Sequence, residues 1–110
     1  MEKILEQTLL YDFYGELLTE HQKQIYEDVV LNDYGFSEVA QEQGISRQGV
    51  HDLVKRCSRI LKEYEARLHL VERFLTIKSR IEEIESSLRD TEEPDREALI
   101  RQLQDILENL

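Results

Sequence analysis

One short segment of the chain carries side chains suited to holding an anionic, hydrogen-bonding polymer. Residues 46 to 62 contain five cations against one acid, Asp52, a local balance of +4. Six potential hydrogen-bonding residues recur there at spacings of one, three and four: Arg47, Gln48, His51, Lys55, Arg56 and Arg59. On a helix that spacing gathers them on one side. Near the start of such a helix Arg47, Gln48 and His51 could reach base edges, while the later cations could contact phosphates.

The overall charge of -10 opposes this reading, because phosphate contacts supply much of the affinity for nucleic acid. The acids are unevenly placed: residues 82 to 110 hold ten against three arginines, a balance of -7. Residues 19 to 62 hold six cations against seven acids, so the field near the basic segment is weak. The basic residues could therefore be a plain solvated face of the helix with no partner. If the acidic C-terminal arm folds back over the basic helix, it would mask the cations.

Other chemistry has little support in the sequence. His21, His51 and His69 are far apart, and the single cysteine, Cys57, lies on an apolar stripe, so no metal-ligand spacing is present. The four glycines form no phosphate-binding loop, and no Ser or Cys sits in a nucleophile motif. We expect no catalytic site, no cofactor and no metal, and hence a protein that is not an enzyme.

The cellular compartment of the protein is predicted from its cysteine count and from the hydropathy of the chain. One cysteine cannot form an internal disulfide, which favours a reducing cytoplasmic setting. No run approaches the roughly 18 apolar residues of a membrane helix, so we expect no membrane span.

The elements that must position the basic segment are all predicted helices. Apolar residues at helical spacing predict a first helix from Glu2 to Leu18. Thr19 and Gln22 form a capping-box pattern that starts a second helix, ending near Leu31. Ser37 is predicted to cap a short third helix that ends at Gly44, and Ser46 to cap the helix that carries the cations.

A tight turn between two crossing helices requires a small residue, a glycine and apolar residues that seat the second helix. Ala40, Gly44, Val50 and Leu53 meet these needs and form the predicted motif scaffold, with Val39 and Ile45 filling the core. The spacing predicts a helix-turn-helix unit from about Leu18 to Lys62, and a plain core turn is the alternative.

Beyond the motif the apolar stripe continues without Gly or Pro to Leu88, which predicts one long helix or two with a joint near Thr76 to Ser79. Pro94 is predicted in the first turn of a last helix. That helix should bury Leu99, Ile100, Leu103, Ile106, Leu107 and Leu110. The fold class is all-α, with residues 1–62 as N-terminal helix plus motif and 63–110 as a helical hairpin extension of the same compact unit.

At these residues the sequence resembles a known family. Residues 18 to 62, including the leader Leu18-Thr19-Glu20-His21-Gln22, are similar to sigma-factor region 4. The segment from Leu10 to Leu18 extends the similarity, and the whole chain resembles the small bacterial YlxM-like proteins. The resemblance implies a sigma-like helix-turn-helix with a helical C-terminal extension and a part in the signal recognition particle pathway. Gly49 departs from the sigma pattern, where a Thr is usual, and is expected to loosen the start of the reading helix.

Two functions remain open at this point. One is a regulator that binds DNA, or the RNA of the signal recognition particle, through the six residues of the basic helix. The other is an adaptor that binds protein components of that particle through its C-terminal helices. In either case the uncovered apolar stripe predicts a homodimer through the long helix and the C-terminal arm.

Overall fold

The structure is a computed structural model that describes residues 2–110. Within that range it contains no strand and six α-helices: α1 (Lys3–Tyr14), α2 (Glu20–Tyr26), α3 (Phe36–Gln43), α4 (Arg47–Leu68), α5 (Leu70–Asp90) and α6 (Arg96–Glu108). A 3₁₀ turn, Gly15–Leu17, follows α1, and a π-helical segment, Glu27–Leu31, continues α2. The all-α prediction is confirmed. The chain divides into two compact units, the first ending at His69 and the second running from Leu70 to Leu110.

The start of α2 follows from its capping residues. The Gln22 backbone N–H donates to the Thr19 hydroxyl at 3.2 Å, and the Thr19 N–H donates to the Gln22 side-chain oxygen at 2.9 Å. These reciprocal bonds satisfy two donors that a helix N-terminus otherwise leaves unpaired. The predicted capping box is therefore confirmed.

The cap predicted for α3 is wrong. The helix begins at Phe36, with Gly35 in the capping position and Ser37 already inside the first turn. Gly35 has an extended backbone, with a φ of -69° and a ψ of 150°, and no side chain caps the helix. Glycine is an acceptable residue in that position because it lets the exposed N–H groups meet water.

Aromatic contacts hold α1 to the rest of the first unit. The Tyr11 and Tyr26 rings stack with centroids 5.4 Å apart, and the Tyr14 and Tyr64 rings lie 6.1 Å apart. The Tyr14 hydroxyl donates to a Glu65 carboxylate oxygen at 2.5 Å. Because Tyr14 and Tyr26 are both fully buried, these rings fix α1 against α2 and α4.

The long helix predicted after Ser46 is interrupted at a position that holds neither glycine nor proline. Helix α4 ends at Leu68, and His69 adopts a left-handed conformation with a φ of 56°. The joint predicted near Thr76 to Ser79 is therefore wrong, since those residues lie inside α5. Helix termini commonly end on a left-handed residue, and His69 takes this role although glycine is usual.

In the second unit, α5 and α6 are joined by a turn, and Arg80 pairs with Asp105 at 2.7 Å between them. Asp95 caps α6 by accepting from the Ala98 N–H at 3.2 Å, so Pro94 precedes the helix and is not in its first turn as predicted.

The burial predicted for α6 is largely wrong. Ile106 is buried and Leu99 is partly buried, whereas Ile100, Leu103, Leu107 and Leu110 are 49% to 73% exposed. Two helices cannot cover all of their own apolar side chains, so much of this stripe faces outward. None of the helices in residues 2–110 is both long and apolar enough to cross a bilayer.

Candidate nucleic-acid interface

The turn between α3 and α4 is built on Gly44. This residue has a φ of 69° and a ψ of 30°, in the left-handed region, and its N–H donates to the carbonyl of Ala40. The Ile45 N–H donates to the same carbonyl at 3.1 Å. Glycine reaches this conformation without the strain that a Cβ would add, so α3 can stop and the chain can reverse within three residues.

Ser46 then starts α4. Its hydroxyl accepts from the Gly49 N–H at 2.9 Å, and a Cβ on Gly49 would lie 3.1 Å from that oxygen. Gly49 is helical, with α4 formed from Arg47 onward. The capping bond satisfies one N–H of this first turn, and the loosening expected at Gly49 stays a prediction.

The scaffold residues orient α4 by burying one of its sides. Ile25 of α2, Val39 and Ala40 of α3, and Val50 of α4 form a buried cluster. Leu53, Val54 and Ile45 pack around it. Since this side of α4 faces the core, the opposite side must face solvent.

All six sequence-predicted contact residues are exposed. Lys55, Arg56 and Arg59 are brought together with Asp52 around a shallow concavity of about 400 Å³. Among residues 2–110, none of these three cations forms an ion pair. Their charges are thus available to an external anion, with Asp52 as the one opposing carboxylate.

The other three predicted residues occupy the first two turns of α4. The Gln48 amide donates to Asp52 at 2.9 Å, and the His51 ring lies 5.3 Å from the ring of Phe36. Arg47 is twelve residues from Arg59, which is about 18 Å along the helix axis at 1.5 Å per residue. The six exposed side chains, called the strip below, therefore extend over that length of the helix from the turn.

Sequence reasoning missed two features of this surface. The contact of Phe36 with His51 depends on how α3 packs on α4, and no local pattern signals it. The bond from Gln48 to Asp52 could have been found, because residues four apart on a helix are neighbours.

Cys57 lies on the opposite side of α4 and takes no part in the surface. Burial raises the pKa of its thiol to about 11, and the neighbouring Arg56 only partly counters this effect. A thiol that is fully buried and neutral at pH 7 is a packing group and a poor nucleophile.

Comparisons with known proteins agree with this architecture. Residues 1–106 match the family described as "Putative helix-turn-helix protein, YlxM / p13 like". A UPF0122 protein of Thermoanaerobacter sp. is 41% identical over 87% of this chain and 82% of the relative. One from Acetivibrio thermocellus is 46% identical over 76% and 72%, and one from Halalkalibacterium halodurans is 36% identical over 100% and 95%.

Proposed function

The chain belongs to the YlxM / p13-like helix-turn-helix family, and from this premise we propose that it is a nucleic-acid-binding regulatory protein and not an enzyme. The observation that carries the proposal is the group of exposed cations on α4, Lys55, Arg56 and Arg59, none of them in an ion pair within residues 2–110. A buried helix-turn-helix core behind that face is the arrangement by which such motifs present a helix to a groove.

In this proposal the two ends of the strip have different roles. Arg47, Gln48 and His51 contact base edges, where side-chain donors discriminate between base pairs. Lys55, Arg56 and Arg59 contact phosphates, which fixes the position of the helix but carries no sequence information. The Gln48 amide uses one N–H in its bond to Asp52, which leaves its other N–H and its carbonyl oxygen for a base.

A charge-reversal pair tests the proposal. Fluorescence anisotropy with a mixed-sequence DNA duplex and a structured RNA measures binding by the full chain and by Arg56→Glu with Arg59→Glu. Arg96→Glu with Arg101→Glu is the matched control, because it makes the same charge change on exposed residues of α6. We expect the first pair to weaken binding at least tenfold, since two attractive contacts become repulsive, and the control pair to weaken it much less.

Equal binding by the wild-type chain and the Arg56/Arg59 variant would refute the proposal. Equal losses of affinity in both double variants would mean that net charge alone governs binding. That outcome would also contradict the roles of Arg56 and Arg59 as phosphate contacts. A greater effect on the RNA than on the duplex would identify RNA as the partner.

A second function is favoured by a different observation. In the second unit Ile81 and Leu88 of α5 are about half exposed, as are Ile100 and Leu103 of α6. Exposed apolar stripes of this kind are typical of protein-interaction surfaces. The alternative proposal is an adaptor in the signal recognition particle pathway of the cytoplasm, as the family resemblance implied, that binds protein components of the particle through these helices.

A pull-down from lysate with and without nuclease separates the two functions. Under the regulator proposal, captured partners are lost after nuclease treatment and after the Arg56/Arg59 change. Under the adaptor proposal, the components of the particle are retained after nuclease and are lost with Leu103→Glu and Leu107→Glu.

We further propose that the chain forms a homodimer. The exposed stripe on α6, with Ile100, Leu103 and Leu107 at spacings of three and four, can pair with its symmetry mate around a two-fold axis. Light scattering at micromolar concentration should give the dimer mass for the wild-type chain and the monomer mass for the Leu103→Glu, Leu107→Glu variant. A monomer mass for the wild-type chain would contradict the proposal.

A further inference from the structure

A cavity of about 340 Å³ lies within the first unit, between facing sides of α1 and α4. On α1 its lining comes from Lys3, Glu6, Gln7 and Leu10, whose spacings of three and four place them on one side of the helix. On α4 Lys55 and Ser58 share a side in the same way. The volume falls within the roughly 300 to 1,000 Å³ typical of small-ligand sites.

The charge of this cavity is opposite to that of the protein. Three of the five lysines in the chain, Lys3, Lys55 and Lys62, line it, and Glu6 is the one acid among its lining residues. Three cations and one anion leave a balance of +2, in a chain with a net charge of -10. Lysine binds phosphate groups as a point charge and does not require the planar geometry that arginine imposes.

Tyr26 gives the cavity a buried donor. Its side chain is fully buried, and its hydroxyl makes no hydrogen bond to any described residue. The side chain of Ser58, which also lines the cavity, interacts with this hydroxyl closely enough to offset part of the rise that burial causes in the pKa of Tyr26, although the two groups do not meet the geometry of a hydrogen bond. A buried hydroxyl without a partner is uncommon and costly, and a ligand oxygen would satisfy it.

The remaining lining suits a ligand that is more than a bare anion. Val54 and Phe36, both partly buried, supply apolar surface against which a flat ring can pack. The carboxylate of Glu6 and the amide of Gln7 can accept hydrogen bonds from sugar hydroxyls. Glu6 would repel a simple anion, so its presence favours a ligand that also carries hydroxyl groups.

We propose that this cavity binds a free mononucleotide, with the lysines and Tyr26 on its phosphate, Glu6 and Gln7 on its ribose, and the apolar wall against its base. The inference goes beyond the regulatory function and does not depend on it. His51 and Lys55 belong both to this cavity and to the outer strip of α4, so a bound nucleotide competes for them with nucleic acid.

Isothermal titration calorimetry on the full chain tests the proposal with adenosine 5′-monophosphate as the probe. Inorganic phosphate and adenosine are titrated separately, because each offers only part of the recognised chemistry. Tyr26→Phe removes only the hydroxyl, and Lys62→Met removes one charge that lies outside the six-residue contact set. Lys78→Met is the matched control, because Lys78 lies on α5 and pairs with Glu82 at 3.9 Å.

We expect the nucleotide to bind more tightly than phosphate or adenosine, and Tyr26→Phe and Lys62→Met each to raise its dissociation constant about tenfold, while Lys78→Met leaves it unchanged. Circular dichroism checks that each variant is folded. If Tyr26→Phe does not fold, the Lys62→Met variant alone tests the proposal. No heat of binding at millimolar nucleotide, equal binding by all variants, or phosphate binding as tightly as the nucleotide would each overturn the proposal.

A short single-stranded oligonucleotide distinguishes the source of the nucleotide. Under the proposal the free mononucleotide binds and the oligonucleotide gains nothing through Tyr26. If only the oligonucleotide binds and Tyr26→Phe weakens it, the cavity holds a residue of a nucleic-acid strand, and the assignment to a free ligand is overturned.

Discussion

Replacement of Gly44 measures how much the motif depends on one left-handed residue. With a φ of 69° and no atom within 4 Å of the position that a Cβ would occupy, a side chain there meets no steric obstacle. The cost is therefore conformational, about 1 to 2 kcal/mol for an ordinary residue and at the upper end for a β-branched one. Gly44→Val should lower the stability of the first unit by that amount, whereas Gly44→Asn should cost much less because asparagine tolerates the left-handed region.

Tyrosine fluorescence is a selective assay for this effect. All five tyrosines lie between residues 11 and 64 and the chain has no tryptophan, so the signal follows the first unit. A loss of 1 to 2 kcal/mol corresponds to a decrease of roughly 4 to 16 °C in the melting temperature of a unit of this size. If the Val and Asn variants melted together with the wild-type chain, the left-handed turn at Gly44 would be wrong.

Three further changes test the packing and titration of the first unit. Ala40→Leu should overpack the cluster around Val39 and lower the free energy of unfolding, measured in urea titrations, by about 1 to 3 kcal/mol. An unchanged urea midpoint would show that α3 and α4 leave room for a larger side chain at this position. Gly15→Ala brings a Cβ to 3.1 Å from three atoms of the Tyr11 ring, which is held by its stacking on Tyr26. We expect this crowding to outweigh the roughly 1 kcal/mol by which Ala is favoured over Gly in a helical backbone, so the same titration should show a net loss of stability; a net gain would show that the ring moves aside. The Cys57 thiol has a pKa of about 11 in the folded chain and about 9 in the unfolded chain, so the unfolded chain loses this proton first as the pH rises. The free energy of unfolding should therefore fall by about 2 to 3 kcal/mol between pH 9 and 11. The Cys57→Ala variant should lack this part of the pH dependence.

Features set by local sequence were predictable in this chain. The capping box of Thr19 and Gln22 and the left-handed Gly44 each depend on a few neighbouring residues whose chemistry admits one arrangement. The exposed side of α4 follows from its periodicity once the buried side is known. Those signals were sufficient for the fold class and for the exposure of the six predicted contact residues.

Features set by longer-range packing were not predictable in the same way. His69 ends α4 although histidine carries no strong stop signal, so the pattern did not locate the joint. In α6, periodicity identified an apolar stripe but could not say what covers it, and only Ile106 is buried. The cavity lined by Lys3 and Lys62 joins residues far apart in sequence, and no spacing rule connects them.

The salt dependence of binding measures how many phosphates α4 contacts. The wild-type chain is titrated against a short DNA duplex at several salt concentrations, alongside Arg56→Glu with Arg59→Glu. Five cations on the basic helix limit the slope of log K against log salt to about -4 to -5, and loss of two phosphate contacts should reduce its magnitude by about 2. A slope that is the same for both proteins, or no binding by the wild-type chain at low salt, would contradict the claim that this helix contacts phosphates.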